Sequence, residues 1–574
     1  MPTMVCVPIV MRDVHQALAD CDAAREGGAD LVEFRVDEFF TGNAESAPEE
    51  ASREMDDIVR VVSQATLPCI VTCRLESEGG AYEGDEMSRV AMLERVGTAQ
   101  ERKPWGVERT PRYIDVEWAA FEKSANLRQK VKLAVEHPAQ LHDAHASLIA
   151  STHDFTTRPA DLSRRVAAMA SEPATSVVKI AYRARSLHDS LELLDLAADA
   201  HKPTIALGMG EYGVMSRVLA KKFSALLTFA SLRSTAATAP GQPTLAELLQ
   251  LYRFRKTTSR TRVYGIIGSP VSQSLSPLIH NAGFEAVGFD GVYVPLPIAA
   301  VDDDALAYAS FRAMMLELIE HPKLTLCGCS VTMPHKERLA RLAGERGWGM
   351  DDATRATGAA NTITIRRDTS GHVLAIDVRN TDAAALREAL VSDGGELAGK
   401  RVGVLGAGGA GKAAAWGLAR AGATVVVYNR TLDRAQAVAG DVRRALGAEE
   451  GRVVAASWAL LERACCDVFV NCTPIGMAGT PEARESALPV ERMHACADAV
   501  TVMDTVYSPL RTPTLAAAHA RGWRTIDGVG MFVRQATAQF NAWTGQEAPQ
   551  QTFERLVREE LARREASSRE AGGA

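Results

Sequence analysis

Lys179 stands in the run Val177-Val178-Lys179-Ile180-Ala181, where a primary amine interrupts an otherwise apolar strand. A lysine amid apolar residues and near Arg217 has its charged form disfavoured, which favours a nucleophilic amine. The alternative is a lysine paired with a strand-end carboxylate. His153, in Ser151-Thr152-His153-Asp154-Phe155, reads either as a satisfied core histidine or as a general acid/base. Facing one ketone, the two would suit imine-forming chemistry.

The second half carries different candidates. Ser274 and Ser276 precede Pro277 and a helical pattern starting near Leu278, so they could bind a carboxylate at a helix N-terminus or simply cap it. Ser330-Val331-Thr332-Met333-Pro334-His335-Lys336 and Asn361-Thr362 precede Asn380-Thr381-Asp382. In Val402-Gly403-Val404-Leu405-Gly406-Ala407-Gly408-Gly409-Ala410-Gly411, an apolar strand enters Gly-x-Gly-x-x-Gly and then an Ala-rich helical stretch. This is the phosphate-cradling arrangement of a dinucleotide fold. The following strand, Thr424 to Tyr428, ends in Asn429-Arg430-Thr431-Leu432-Asp433-Arg434. Arg430, Thr431 and Arg434 occupy the place where an acidic residue would hold a ribose hydroxyl. They would attract a 2′-phosphate, favouring NADP over NAD. The plainer reading is that Arg430 caps the strand loop.

The elements that must position these residues differ between the halves. Apolar runs at 4–10, 29–36, 69–75, 113–118, 147–153, 176–181, 204–207 and 225–230 alternate with segments of helical spacing such as 14–25 and 160–169. Eight strand-then-helix units predict a (β/α)8 barrel. Polar residues inside such doubly buried strands are conspicuous: Glu33, Arg35, Arg74, Asp115, Glu117, His153 and Lys179, at or toward the C-terminal strand ends where barrel enzymes build their sites. One short helical pattern, 245–254, closes this half.

Bulk properties bound the function. At 574 residues, with 47% hydrophobic and 24% charged residues, the chain predicts a globular protein of several domains. A net charge of −7, without a long basic run, gives no reason to expect nucleic acid. No stretch approaches the roughly 18 apolar residues of a membrane span. Met1-Pro2-Thr3-Met4 has no charged segment ahead of its apolar run, so no signal peptide is expected. The ten cysteines lack metal-ligand spacing, which predicts no metal and buried thiols in a reducing cytoplasm. Residues 555–574 read as unstructured or loosely helical.

In order, Glu33-Phe34-Arg35-Val36-Asp37, Thr72-Cys73-Arg74, Ser151-Thr152-His153-Asp154-Phe155, Val178-Lys179-Ile180-Ala181, Met215-Ser216-Arg217 and Ala239-Pro240-Gly241-Gln242 make residues 1–256 resemble type I 3-dehydroquinate dehydratase. The resemblance implies that Lys179 forms a Schiff base with the substrate ketone and that His153 shuttles protons. It makes Arg217 the partner of the substrate carboxylate beside Gln242, with Glu33, Arg35 and Arg74 binding hydroxyls. Thr238 replaces the family's usual serine, keeps a hydroxyl, and implies altered lid contacts around the substrate.

Residues 262–560 resemble shikimate dehydrogenase through Ser274-Leu275-Ser276-Pro277, Val331-Thr332-x-Pro334-x-Lys336, Gly358-Ala359-Ala360-Asn361-Thr362, Asn380-Thr381-Asp382, the glycine motif, Asn429-Arg430-Thr431, Asn471-Cys472-Thr473-Pro474-Ile475-Gly476-Met477, Tyr507-Ser508-Pro509-Leu510 and the run from Asp527 to Ala536. This resemblance implies that Lys336 is the acid/base, paired with Asp382. Ser274 and Ser276 would bind the carboxylate, and Asn361, Asp382 and Gln535 ring hydroxyls, with Thr332 and Tyr507 in the pocket. NADP(H) would be held by Gly406, Gly408, Gly409, Gly411, Asn429, Arg430, Thr431, Arg434, Thr473, Gly530 and Met531. Ser330 and Arg379 depart from the family pattern and bear on whether quinate is accepted.

The expected organisation is a barrel (1–256), a linker (257–262), a substrate lobe (263–382), a Rossmann-type NADP lobe (383–525), a return to the substrate lobe (526–560) and a polar tail (561–574). The joined resemblances imply dehydration of 3-dehydroquinate to 3-dehydroshikimate, then NADPH-dependent reduction to shikimate. Two alternatives stay open: a quinate/shikimate dehydrogenase of quinate catabolism, and a non-catalytic regulator that senses quinate-type ligands.

Overall fold

The computed structural model describes residues 2–42, 48–99, 101–136, 145–236, 238–493 and 500–572. The chain forms two compact units, Met1–Thr261 with Val294–Pro297 and Arg262–Tyr293 with Ile298–Ala574. In the first unit the strands are β1 (Met4–Val10), β2 (Leu31–Arg35), β3 (Cys69–Thr72), β4 (Tyr113–Glu117), β5 (Ser147–Asp154), β6 (Thr175–Arg183), β7 (Thr204–Met209) and β8 (Leu227–Phe229). They pair in the order 8-1-2-3-4-5-6-7, and every ladder between them is parallel. Leu226 N–H donates to Thr204 O at 2.9 Å, which joins the β8 end to β7 and brings the sheet near closure. Each predicted apolar run becomes a strand because, covered on both faces, it has no solvent side to make polar.

The segment expected to be a linker is held on the barrel unit. Phe254 is fully buried, Thr257 and Thr261 are buried, and Lys222 Nζ donates to Ser259 O at 2.8 Å and to Thr261 O at 3.0 Å. Arg255 pairs with Asp30 at 2.7 Å. The helical pattern expected over 245–254 is broken: a π-helical turn, Glu247–Leu251, gives way at Arg253, whose φ is 53°, to the 3₁₀ turn Phe254–Lys256.

The second unit holds two six-stranded sheets. The first comprises β9 (Arg262–Gly268), β10 (Gly291–Pro297), β11 (Leu326–Val331), β12 (Gly349–Met350), β13 (Thr362–Arg367) and β14 (Val373–Arg379), in the order 10-9-11-13-14-12. The second comprises β15 (Arg401–Leu405), β16 (Thr424–Asn429), β17 (Val453–Ser457), β18 (Val468–Asn471), β19 (Thr501–Asp504) and β20 (Arg524–Ile526). It is wholly parallel in the order 17-16-15-18-19-20, the doubly wound Rossmann-type arrangement, with one apolar cluster on each face. Ligands in such sheets bind outside the strand C-termini where the order reverses, here between β15 and β18.

The chain then returns to the first sheet through the helix Val529–Thr544, which lies inside the stretch 526–560 expected to return. Of the two readings of the tail, unstructured or loosely helical, the structure matches the helical one, but the helix Gln550–Gly572 is continuous and packed. Phe553, Val557 and Leu561 recur four residues apart, are buried, and join the cluster of Tyr264, Phe284 and Phe540. Burying each such side chain contributes about 1.5–3 kcal/mol, enough to order a helix whose remaining surface is charged.

Candidate active sites

At the C-terminal half of the barrel strands, the polar residues interrupting the apolar runs meet one another. Lys179 Nζ donates to Glu33 Oε1 at 2.9 Å and to Asp115 Oδ2 at 2.7 Å, and lies 4.9 Å from the Phe229 ring centroid. Of the two readings of Lys179, the structure matches the lysine paired with carboxylates and not the one set among apolar residues and Arg217; its partners are two buried carboxylates. Glu33 Oε1 also accepts from Thr72 Oγ1 at 2.8 Å. Asp115 Oδ1 accepts from Arg74 Nη2 at 2.9 Å and Ser151 Oγ at 2.6 Å. Arg74 Nη1 reaches Glu117 Oε1 at 3.0 Å, and fully buried Arg89 holds the other oxygen of Glu117 at 2.7 Å. Buried charges persist only when paired in this way. Burial alone would raise the Asp115 carboxyl, but Arg74 and Lys179 outweigh it and hold it well below the usual carboxylate range.

His153 takes a position beside this network. Glu78 Oε2 accepts its backbone N–H at 2.8 Å and lies 3.0 Å from Nδ1. Burial, with Arg74 and Lys179, holds the imidazole well below its usual range, so it is neutral. Burial pushes the Glu78 carboxyl up to about 7 against the pull of Arg74.

Arg35 is clamped by Asp37 through two bonds, 2.8 and 2.9 Å, so one face of its guanidinium is committed within the protein. Arg217 is buried, its Nε has no hydrogen-bond partner, and burial lowers its pKa to about 10. Gln242 accepts at Oε1 from Thr238 N and Oγ1, at 3.1 and 3.2 Å, while its buried Nε2 is unsatisfied. The loop between them needs glycine at 241: φ is +73°, and a Cβ would stand 2.2 Å from Gly210 O. Two buried donors without acceptors suit an anionic ligand, since an orphaned buried donor costs about 1–3 kcal/mol.

In the second unit Lys336 is the first residue of the helix Lys336–Arg346, and Asp382 begins the helix Asp382–Gly394. Lys336 Nζ donates to Asp382 Oδ2 at 2.5 Å. Asn361 Nδ2 donates to Asp382 Oδ1 at 2.8 Å and to Thr381 Oγ1 at 2.9 Å. Asn361 Oδ1 accepts from Thr381 N–H at 2.9 Å, which fixes the amide's orientation. Thr332, just past β11, is partly exposed and its N–H is held by Ile267 O at 2.8 Å. Ser274 Oγ accepts from Ser276 N–H at 3.2 Å, while Ser276 is buried next to Tyr293.

Ser330 belongs to a buried chain in which Tyr293 Oη donates to Ser330 Oγ and Ser330 Oγ to Gln539 Oε1, each at 2.8 Å. Gln539 Nε2 then donates to Asn361 O at 3.2 Å and Thr362 Oγ1 at 3.0 Å. Gln535 instead turns its amide to Phe532 O at 3.0 Å on its own helix, so the structure does not join it to Asn361 and Asp382. Tyr507 packs against Phe532 with ring centroids 4.5 Å apart and planes tilted by 30°, and burial raises its hydroxyl pKa.

The glycine motif fits a dinucleotide on the evidence of what side chains would meet. Gly406 has φ +103°, a Cβ on Gly411 would stand 2.1 Å from Gly406 O, and one on Gly408 would meet nothing within 4 Å. Turn, close helix–strand approach and an open face for a phosphate thus fall on separate glycines. Gly409 starts the helix Gly409–Arg420, and a Cβ there would lie 3.1 Å from Lys336 Cδ. Thr473 packs its methyl where a Gly406 Cβ would fall, at 2.9 Å, and its hydroxyl and N–H both turn to Asn471 Oδ1, at 2.7 and 3.0 Å. Asn429 Nδ2 holds Thr431 O at 2.8 Å. Arg430 pairs with Glu482 at 2.6 Å and lies 5.8 Å from the Trp458 ring centroid, while Arg434 is exposed. Gly530 and Met531 lie in the first turn of the return helix.

Glu78, Ser151, Arg89, Gln539 and Asn471's partner Asp504 were not singled out from the sequence. Asp115 and Glu117 stood out as polar residues within a strand, but without a role. Among the described residues no cluster of His, Cys, Asp and Glu could hold a metal, and no helix is long and apolar enough to cross a membrane.

Comparison with known proteins follows the same division. Residues 5–259 match the family model for type I 3-dehydroquinase. Residues 266–363 match the shikimate dehydrogenase substrate binding domain, 388–452 shikimate/quinate 5-dehydrogenase, and 528–558 the shikimate 5′-dehydrogenase C-terminal domain. A chloroplastic bifunctional 3-dehydroquinate dehydratase/shikimate dehydrogenase of Arabidopsis thaliana is 34% identical over 97% of this chain and 84% of its own. A shikimate dehydrogenase (NADP(+)) of Methanocella arvoryzae is 35% identical over 52% of this chain and 99% of its own. A solved shikimate 5-dehydrogenase of Thermus thermophilus, in complex with NADP(H) and shikimate, is 28% identical over 52% of this chain and 99% of that one, with a TM-score of 0.42. The chain belongs to the family of bifunctional 3-dehydroquinate dehydratase/shikimate dehydrogenases.

Proposed function

We propose that this chain converts 3-dehydroquinate to 3-dehydroshikimate in its barrel and reduces that product to shikimate with NADPH in its second unit. The observation that carries this reading is that one chain holds two separate lysine–carboxylate centres, Lys179 with Glu33 and Asp115, and Lys336 with Asp382. The dehydratase occupies residues 1–256 and the dehydrogenase a substrate lobe over 263–382, an NADP lobe over 383–525 and a return over 526–560.

In the barrel, Lys179 passes a proton to Glu33 along their hydrogen bond, and its amine adds to the substrate ketone. Loss of water gives an imine. His153 takes the proton from the adjacent carbon, and the electron pair moves into an enamine. The enamine expels the ring hydroxyl, which takes a proton from His153 and leaves as water; hydrolysis of the imine returns the amine. Arg217 and Gln242, each with an unsatisfied buried donor, hold the substrate carboxylate, and Arg35 and Arg74 orient the ring hydroxyls.

In the second unit NADPH, when bound, supplies the electron pair and hydrogen that reduce the ketone carbon. Gly406, Gly408, Gly409 and Gly411 would hold its pyrophosphate, Asn429, Arg430, Thr431 and Arg434 its 2′-phosphate end, and Thr473, Gly530 and Met531 its nicotinamide end. Lys336 delivers a proton to the carbonyl oxygen, and Asp382 and Asn361 hold the lysine and a ring hydroxyl. Ser274 and Ser276 take the carboxylate, and Thr332, Tyr507 and Gln535 complete the pocket. The nine described cysteines are free, consistent with a reducing compartment, and the cytoplasm is the location we propose. Purified protein given 3-dehydroquinate and NADPH should form shikimate with matching NADPH loss; dehydroshikimate without shikimate, or no conversion, overturns the reading.

A further inference from the structure

At the C-terminal edge of the Rossmann-type sheet, the end of β18 and the loop after β19 converge on one carboxylate that takes no part in the proposed reactions. Asp504, the last residue of β19, is fully buried. Its Oδ1 accepts from Asn471 Nδ2 at 2.9 Å and Val506 N–H at 3.0 Å, and its Oδ2 from Thr512 Oγ1 at 2.6 Å. It makes no ion pair with a described residue, and burial pushes its carboxyl up to about 6.

The donors lead to two parts of the cleft. Asn471 is fully buried, and with Nδ2 committed to Asp504 and to Ile475 O at 3.2 Å, its Oδ1 must face the N–H and hydroxyl of Thr473. Thr473 in turn stands against Gly406, the first glycine of the phosphate loop. Val506 and Thr512 bracket the loop that carries Tyr507. Gly528 closes the set: a Cβ there would lie 2.8–2.9 Å from the carbonyl oxygens of Asp504, Thr505 and Val506, so the turn into the helix of Gly530 and Met531 packs directly on this strand end.

We propose that Asp504 is a positioning residue for the nicotinamide end of the cofactor, acting through the orientation of the Asn471 amide on Thr473 and through the strand end on which Gly528 packs ahead of Gly530 and Met531. The inference rests on the dehydrogenase reading of this unit. An acceptor at position 504 is what the arrangement requires, and a full charge is not: an asparagine could present its oxygen to Asn471 and Val506 and its amide to Thr512, whose hydroxyl can turn to accept.

The test uses the full chain, whose dehydratase activity reports independently on the sample. In Asp504→Ala the KM and Kd for NADPH should rise tenfold or more, with the KM for dehydroshikimate changed less than threefold and dehydratase turnover unchanged. Asp504→Asn should restore NADPH affinity to within about threefold of wild type. Thr512→Val, which keeps the carboxylate and removes one donor, should fall between and carries the test if Asp504→Ala yields no folded second unit. A wild-type NADPH affinity in both Asp504→Ala and Thr512→Val, with only the amount of active enzyme reduced, overturns the proposal, as does an asparagine variant as defective as alanine. Absence of NADPH-dependent reduction in the wild type would instead sink the dehydrogenase reading itself.

Discussion

Glu78 meets His153 twice, accepting its backbone N–H at 2.8 Å and lying 3.0 Å from its ring Nδ1. One carboxylate thereby holds the imidazole in place, and its protonation state decides which ring nitrogen carries the proton.

That contact predicts a pH limb for the dehydratase reaction. The Glu78 carboxyl, raised to about 7, is protonated below that pH and ionised above it, while the imidazole, held far below its usual range, is neutral on both sides. Ionised Glu78 accepts Nδ1–H and leaves Nε2 free as a base; protonated Glu78 donates to Nδ1 and blocks that tautomer. Dehydratase kcat should therefore rise with pH through a midpoint near 7. Glu78→Gln should lower kcat roughly 10- to 100-fold and remove the limb, as read from kcat–pH profiles of both proteins.

Gly411→Ala should weaken reduction at subsaturating NADPH and spare dehydration. The added Cβ would stand 2.1 Å from Gly406 O, a backbone atom that cannot swing aside. Overpacking of this kind costs about 1–3 kcal/mol, here spent on displacing the phosphate loop. The expected readout is an NADPH KM raised about tenfold or more in the reductase assay.

Arg430→Ser should narrow the preference for NADPH over NADH. The guanidinium sits at the end of β16, shared with Glu482 in the structure. A hydrogen bond to a charged group contributes about 1.5–3 kcal/mol, so the NADPH KM should rise roughly 10- to 100-fold while that for NADH stays nearly constant. Parallel titrations of the two cofactors check this.

The barrel was legible in the sequence because buried parallel strands are written as apolar runs, and the polar exceptions within them flag the site. Asp115 and Glu117 share one strand face two residues apart, yet nothing in one sequence shows that Asp115 would meet Lys179 from two strands away. Lys179 itself reads as apolar-flanked because its neighbours in sequence point outward while its partners come from β2 and β4.

Glu78 was hidden for another reason: it lies on a three-residue 3₁₀ turn, Glu76–Glu78, without periodicity to mark it. Gln539 was eclipsed by Gln535, one turn earlier on the same helix. The tail helix misled through composition, since its charged surface masks the four-residue spacing of Phe553, Val557 and Leu561. The strand–turn–helix form of the glycine motif was legible, because the close approach of Gly411 to Gly406 O is local, whereas the approach of Thr473 to Gly406 and of Lys336 to Gly409 is not written in the motif.

The central claim, two consecutive reactions at two distinct lysines, is tested most directly by product analysis of Lys179→Met and Lys336→Met beside wild type. Given 3-dehydroquinate and NADPH, wild type should yield shikimate and Lys336→Met should stop at 3-dehydroshikimate. Lys179→Met should leave 3-dehydroquinate unchanged yet reduce added 3-dehydroshikimate at the wild-type rate. Shikimate formed from 3-dehydroquinate by either variant at the wild-type rate would contradict the account.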